Sequence, residues 1–327
     1  MKTRLRAIAL LALTVIGAAG CGNWSNADIQ FLHALPSRDQ LKVALPTPAS
    51  TAEQGLATRR DGLALNTPST TYAWTRGAAD SVNKSIFNLL EILERAKKLN
   101  PTRRADDYRE WGPFRDQAGL VEREVRLVIQ RHDAPAEHFE WHIDIRRLRD
   151  AEWIEAIGGT YQPTQVLTRG VGEFSLEAER VRRASLAGPN DDPNLRQLVV
   201  RYATDADPLH IELDLVAVNG TLAYVYDEYA DQSGSMRFDV TADWLAAPAG
   251  GTAAKETLQV TTRWVSSGAG RADLLVTGGD VGDTEVDGGA ECWDAAFNVV
   301  YGRENWDSDG DGVKELIGDP SACAIQP

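Results

Sequence analysis

Five histidines, His33, His132, His138, His142 and His210, together with an abundance of carboxylates, are the residues with which this chain could do chemistry. His138, Glu140 and His142 occupy alternate positions of one segment. In a strand those positions share a face, so the three side chains could converge with His132, or with His210 from another strand, on a divalent metal. Such a centre would activate water, which makes a hydrolase using this face, or using acidic residues alone, one reading of the chain. The same spacing is also what a solvated strand face shows. The sequence holds no His-Glu-x-x-His, no Gly-x-Ser-x-Gly elbow, no Walker loop and no dinucleotide fingerprint. Its carboxylates are too many for a glycosidase pair to be picked out without geometry. Nine tryptophans, among them Trp111, Trp141, Trp153, Trp244 and Trp264, invite sugar stacking or lipid contact, but sheet cores use such residues routinely.

A second set lies near the end of the chain. Asp307-Ser308-Asp309-Gly310-Asp311-Gly312 places carboxylates at the first, third and fifth positions of a calcium loop and glycine at the sixth, where alternate side chains point inward and glycine permits the sharp turn. Glu315 suits the ninth position. The twelfth, where a bidentate Glu belongs, is Gly318, with Asp319 one residue late. The run resembles the loops of EF-hand, dockerin and thrombospondin type 3 repeats, although it is single and lacks convincing paired helices. The resemblance implies a calcium ion held by Asp307, Asp309, Asp311 and Glu315 with weak affinity and a structural role, as in a calcium-stabilised adhesion or scaffold protein. A solvated acidic turn is the competing account.

The cysteines number three: Cys21, Cys292 and Cys323. Cys21 follows Lys2, Arg4 and Arg6, an apolar run from Ala7 to Ala19, and the small residues Ala18-Ala19-Gly20. Basic, apolar and small-residue regions in that order make an export signal, and the run is too short to span a bilayer. Ala18-Ala19-Gly20-Cys21 resembles the lipobox of bacterial lipoprotein precursors, with Ala18 where that family usually has Leu. The resemblance implies that Cys21 becomes a lipidated N-terminus and anchors the protein in a membrane of the cell envelope. Gly22 in place of an Asp retention signal points to the outer membrane. The alternative is an ordinary secretory signal cleaved near Ala19, with Cys21 left free. If lipid consumes Cys21, then Cys292 and Cys323 remain as a pair in an oxidising compartment and should be bridged.

Without the three signal cations the chain has 31 basic residues against 48 acidic ones, a net charge of −17. Such a surface repels phosphate backbones, so nucleic acid is excluded as a partner. Short basic clusters such as Arg146-Arg147-Leu148-Arg149 and Arg180-Val181-Arg182-Arg183 read as solvated faces paired with nearby carboxylates.

The elements that must position these residues follow from hydrophobic periodicity. Residues 1–20 form the signal, and 21–71 a tether with Pro36, Pro46, Pro48 and Pro68 and no sustained period. Within it, Ile29, Phe31, Leu32, Leu35, Leu41, Val43 and Leu45 suggest that part of the arm docks on its own domain or on a partner. Residues 72–278 make the main body. Ala79, Val82, Ile86, Leu89, Leu90, Leu93 and Ala96 recur at three and four residues, which predicts one long amphipathic helix from about Thr75 to Lys98. From about Arg109 the period changes to two: Val121, Val125, Leu127 and Ile129 oppose charged neighbours, and Phe139, Trp141, Ile143 and Ile145 oppose His138, Glu140, His142 and Asp144. Short gaps, with Asn219-Gly220 as a type I′ turn signal, demand antiparallel neighbours. The predicted fold is therefore α+β and mainly antiparallel, a meander of eight to ten strands, open or closed, packed on one long N-terminal helix. Its element order is similar to the unclosed barrels of lipoprotein carriers and receptors, which would imply an apolar cleft; a helix that simply fills the core is the other outcome. Residues 279–327 read as an acidic, disulfide-bridged tail, and its ending resembles that of uncharacterised bacterial lipoproteins of no known activity.

The expectation is a non-enzymatic, membrane-anchored lipoprotein that binds a protein partner or an apolar ligand.

Overall fold

The computed structural model describes residues 25–47, 63–118, 121–134, 136–187, 193–218, 220–242, 254–279, 286–305 and 315–327. Three helices come first: α1 (Asn26–His33), α2 (Arg38–Leu41) and α3 (Thr70–Ala96). Two compact units share the chain. One takes its described residues from 25–42, 83–206 and 213–218, the other from 43–82, 207–212 and 220–327. Helix α3 contributes its first half to the second unit and its remainder to the first.

The first unit is a meander of seven strands: β1 (Arg103–Ala105), β2 (Tyr108–Ala118), β3 (Val121–His132), β4 (His138–Arg147), β5 (Ile154–Pro163), β6 (Gly170–Leu176) and β7 (Leu195–Ala203), with a short helix α4 (Ala178–Arg183) before the last. Each strand pairs antiparallel with the next. The alternation in the sequence becomes two faces: Val125, Leu127 and Ile129 of β3 and Phe139, Trp141, Ile143 and Ile145 of β4 are buried, as are Ile86, Leu89, Leu90 and Leu93 of α3. Helix α1 joins this core. Its Ser25 and Asp28 form a reciprocal capping box, and its Phe31 meets the Phe139 ring edge-on with centroids 5.7 Å apart. Of the apolar residues in the arm, Phe31, Leu35, Leu41 and Val43 are buried and Ile29 is exposed.

Strand β8 (Leu209–Ala217) has residues in both units. The second unit continues with β9 (Gly220–Glu228), β10 (Gly234–Ala242), β11 (Glu256–Trp264), β12 (Gly270–Thr277), β13 (Val286–Trp293), β14 (Val299–Glu304) and β15 (Leu316–Gly318), again antiparallel in sequence order. The first half of α3 lies against these strands. Tyr72 packs on Trp293 with ring centroids 5.3 Å apart, and the Thr75 and Thr262 hydroxyls are 2.7 Å apart in the interior.

Large aromatic residues stand opposite glycine across neighbouring strands in both units. Gly159 lies between Trp141 and Phe174, and Gly172 between Tyr161 and Tyr202. Gly270 lies between Trp264 and Trp293, and Trp264 in turn between Gly234 and Gly270. A methyl group at Gly270 would fall 2.6 Å from Trp293 Cζ2, and one at Gly159 2.7 Å from Trp141 Cζ2. The rings therefore cover the glycines, whose missing side chains leave the space that the rings fill.

Several expectations change. The described residues form fifteen strands, not eight to ten. Of the residues expected to form a separate tail, those of β13 to β15 pair in sequence order after β12, and Ala290, Cys292, Trp293 and Val299 are core residues. No pairing that would close a barrel is formed among the described residues. The long helix is not N-terminal, since α1 and α2 precede it, and it starts at Thr70 instead of Thr75. Its early start has a tertiary cause: the Tyr72 N–H donates to Ser69 Oγ at 3.0 Å, and the Thr71 N–H donates to a carboxylate oxygen of Glu291, on β13, at 3.2 Å. No described helix is long and apolar enough to cross a membrane.

Candidate functional site

The β3–β4 hairpin brings together part of the predicted histidine set. His132 ends β3 directly opposite His138, the first residue of β4. Glu140 follows two positions later on the same face, which makes it the diagonal neighbour of His132. The two imidazole rings stack at a centroid distance of 4.8 Å and an interplanar angle of 15°. His132 Nε2 lies 3.5 Å from Glu140 Oε2. One potential ligand atom from each of His132, His138 and Glu140 lies within 4.8 Å of the others. His138 Nδ1 is 3.0 Å from the Ala136 carbonyl, which can only accept, so that nitrogen carries the proton.

The remaining histidines are elsewhere. His142 shares the strand face of His138, but its Nε2 lies 3.5 Å from Asp144 Oδ2. In the second unit, His210 is held between two carboxylates, Nδ1 at 2.7 Å from Asp227 and Nε2 at 3.2 Å from Glu212. Partial burial acts to lower the pKa of His210, yet the hydrogen bonds to Asp227 and Glu212 outweigh it and hold the pKa above the ordinary histidine value. An imidazole engaged at both nitrogens offers no lone pair to a metal or to a substrate proton. His33 closes α1, remote in sequence from either group.

Around the hairpin, the outer face of β3 and β4 is organised by ion pairs. Arg126 Nε donates to Asp144 at 2.8 Å and Arg146 Nε to Glu124 at 2.8 Å. The Trp153 ring lies 4.4 Å from the Arg126 guanidinium carbon and 4.2 Å from that of Arg146. Trp153 is thus a cation–π partner of two arginines, not a free stacking platform. Trp111, Trp141 and Trp264 are buried core residues, and Trp244 lies outside the described residues. Arg146 and Arg183 of the two basic clusters pair with Glu124 and Glu179.

Cys292 and Cys323 are bonded to each other, with Cα atoms 5.5 Å apart and a sequence separation of 31. Both sulfurs are buried beside Ala290 and Tyr301. Closing a loop of this length stabilises the fold by about 3 to 4 kcal/mol on the chain-entropy model. Asp307, Asp309 and Asp311 lie outside the described residues, as does Cys21. Glu315 is half-buried, and its carbonyl accepts from the Glu304 N–H at 2.9 Å, so the two ends of the acidic segment meet where β14 and β15 pair. Strands, not the two helices of an EF-hand, flank the segment.

Sequence reasoning left His132 and His210 as alternatives beside His138 and Glu140, and it missed that His142 lies against Asp144. It also missed Glu291, whose role as a helix cap leaves no local trace.

No protein-family model, no curated protein and no solved structure matches the chain.

Proposed function

We propose that this protein is exported, lipidated at Cys21 and anchored to a membrane of the cell envelope, the outer membrane by the residue that follows the cysteine. There it works by binding, not by catalysis. The observation that carries export is the buried Cys292–Cys323 disulfide, a bond that persists in oxidising compartments and is rare in the cytosol. In this reading the meanders curl as open half-barrels, with aromatic residues standing over glycines on the crowded side. Trp111, Trp141, Trp264 and the apolar stripe of α3 are already buried within the protein. That favours a protein partner over an apolar ligand, and it assigns recognition to the charged outward faces. Calcium at Asp307, Asp309, Asp311 and Glu315 would have a supporting, structural part.

Metabolic labelling with radioactive palmitate tests the anchor. The expected result is label and membrane partition in the natural chain and loss of both in Cys21→Ala. Equal partition of the two chains, or an absence of label from both, would overturn the reading.

A further inference from the structure

We propose that the β3–β4 hairpin is a binding site for a zinc-class divalent metal ion, held by His132, His138 and Glu140. The proposal is independent of how the protein is anchored and of the acidic loop near residue 309.

Three observations converge on it. The donor set is right: two imidazoles and one carboxylate, with a fourth position left over, is a recurring arrangement for zinc. The spacing is also right. Zinc bonds of about 2.0 to 2.1 Å in a tetrahedron put ligand atoms about 3.3 to 3.4 Å apart, and His132 Nε2 already lies 3.5 Å from Glu140 Oε2. The third ligand, within 4.8 Å, needs only a side-chain adjustment where β3 turns into β4.

The third observation concerns individual nitrogens. His132 Nε2 is shut off from solvent and has no hydrogen-bond partner. Buried polar atoms are nearly always satisfied, so an orphaned imidazole nitrogen facing a carboxylate marks a place for a group that can accept its lone pair. His138 is prepared in a complementary way. Its contact with the Ala136 carbonyl fixes the proton on Nδ1 and leaves the lone pair on Nε2, the outer hydrogen bond that metal-binding histidines commonly have. Glu140 supplies the negative charge, and its side chain is 58% exposed, so water or a donor from another molecule can take the fourth position. His142 does not belong to the set despite lying on the same strand face, because it is drawn to Asp144.

Titration calorimetry of the full, untagged chain, freed of metal and titrated with zinc chloride in a non-chelating buffer, tests the site. The expected result is one saturable site in the natural protein. His132→Ala and Glu140→Gln should each weaken it at least tenfold, and His142→Ala should leave it within twofold. Absence of saturable zinc binding, binding that survives His132→Ala, or an equal loss in His142→Ala would each overturn the proposal. A second measurement needs no variant: on adding zinc to the natural chain, the imidazole proton resonances of His132 and His138 should shift and those of His210 stay in place. Shifts confined to His210 or His33 would overturn it as well.

Discussion

The carboxylate of Glu291, on β13, accepts hydrogen bonds from the Ser69 hydroxyl and from the Thr71 backbone N–H, and so caps a helix that begins more than 200 residues earlier. Helix N-termini carry unsatisfied N–H groups and a partial positive charge, and here a fully buried anion meets both. Replacing Glu291 by Ala leaves those donors unpaired in the interior. Charge-assisted hydrogen bonds are worth about 1.5 to 3 kcal/mol, and Glu291→Ala should lose about that much in urea unfolding. A loss below about 0.5 kcal/mol, the scale of an ordinary surface change, would show that the cap is not the reason the helix starts at Thr70.

Glycine opposite tryptophan makes a second prediction. At Gly270 an added methyl would meet the Trp293 ring at 2.6 Å and the Arg263 carbonyl at 2.5 Å, and backbone cannot move aside cheaply. Overpacking of this kind costs about 1 to 3 kcal/mol, so Gly270→Ala should lower stability by that amount. Gly288 is the control: its nearest neighbour would be 3.4 Å away, an ordinary contact, and Gly288→Ala should change stability by less than about 0.5 kcal/mol. Equal effects at the two sites would refute the packing argument.

Acid should release a specific ion pair. Asp28 is fully buried, and Arg109 Nε donates to it at 2.6 Å while Arg104 approaches within 3.2 Å. Burial acts to raise the pKa of Asp28, but the hydrogen bonds from Arg109 and Ser25 prevail and hold it below the ordinary carboxylate value. Because the folded-state pKa lies below the unfolded one, the stabilisation is complete above about pH 4 and disappears as pH falls through the lower value. In Asp28→Asn this part of the acid dependence should vanish. At pH 7 the same variant should be about 3 kcal/mol less stable, since the buried Arg109 loses its counter-charge. Urea midpoints measured from pH 7 down to pH 3 check both statements.

The acidic loop is tested by calcium itself. If Asp307, Asp309, Asp311 and Glu315 share an ion, millimolar calcium should raise Tm by a few degrees, in keeping with the weak, extracellular class of calcium site. EDTA should reverse the rise and Asp309→Ala should abolish it. An unchanged Tm removes calcium from the account.

How much of this was legible beforehand differs element by element. The three- and four-residue spacing from Ala79 to Ala96 marked the body of α3, and the alternation through Val125 to Ile129 and Phe139 to Ile145 marked β3 and β4 with the correct buried faces. Both signals are local, because each side chain declares its face by its own polarity. The ends were misplaced. Strand β5 runs from Ile154 to Pro163, and alternation cannot trace its middle, because Gly158 and Gly159 carry no side chain that could announce a face. Gly159 makes sense only beneath Trp141, which is a neighbour across the sheet and not along the chain.

The candidate site divides in the same way. The sequence by itself determined the alternation of His138, Glu140 and His142, the cysteine pairing once Cys21 is set aside, the acid-rich charge and the antiparallel class, since residue type, period and gap length settle all of these. Only the tertiary structure decided that His132 meets His138 and Glu140, that His142 goes to Asp144 and His210 to Asp227, and that Glu291 starts the long helix. Those choices depend on strand register and on contacts between residues far apart in the chain, and a register slip of one residue, which hardly alters composition, would turn every one of those side chains to the opposite face.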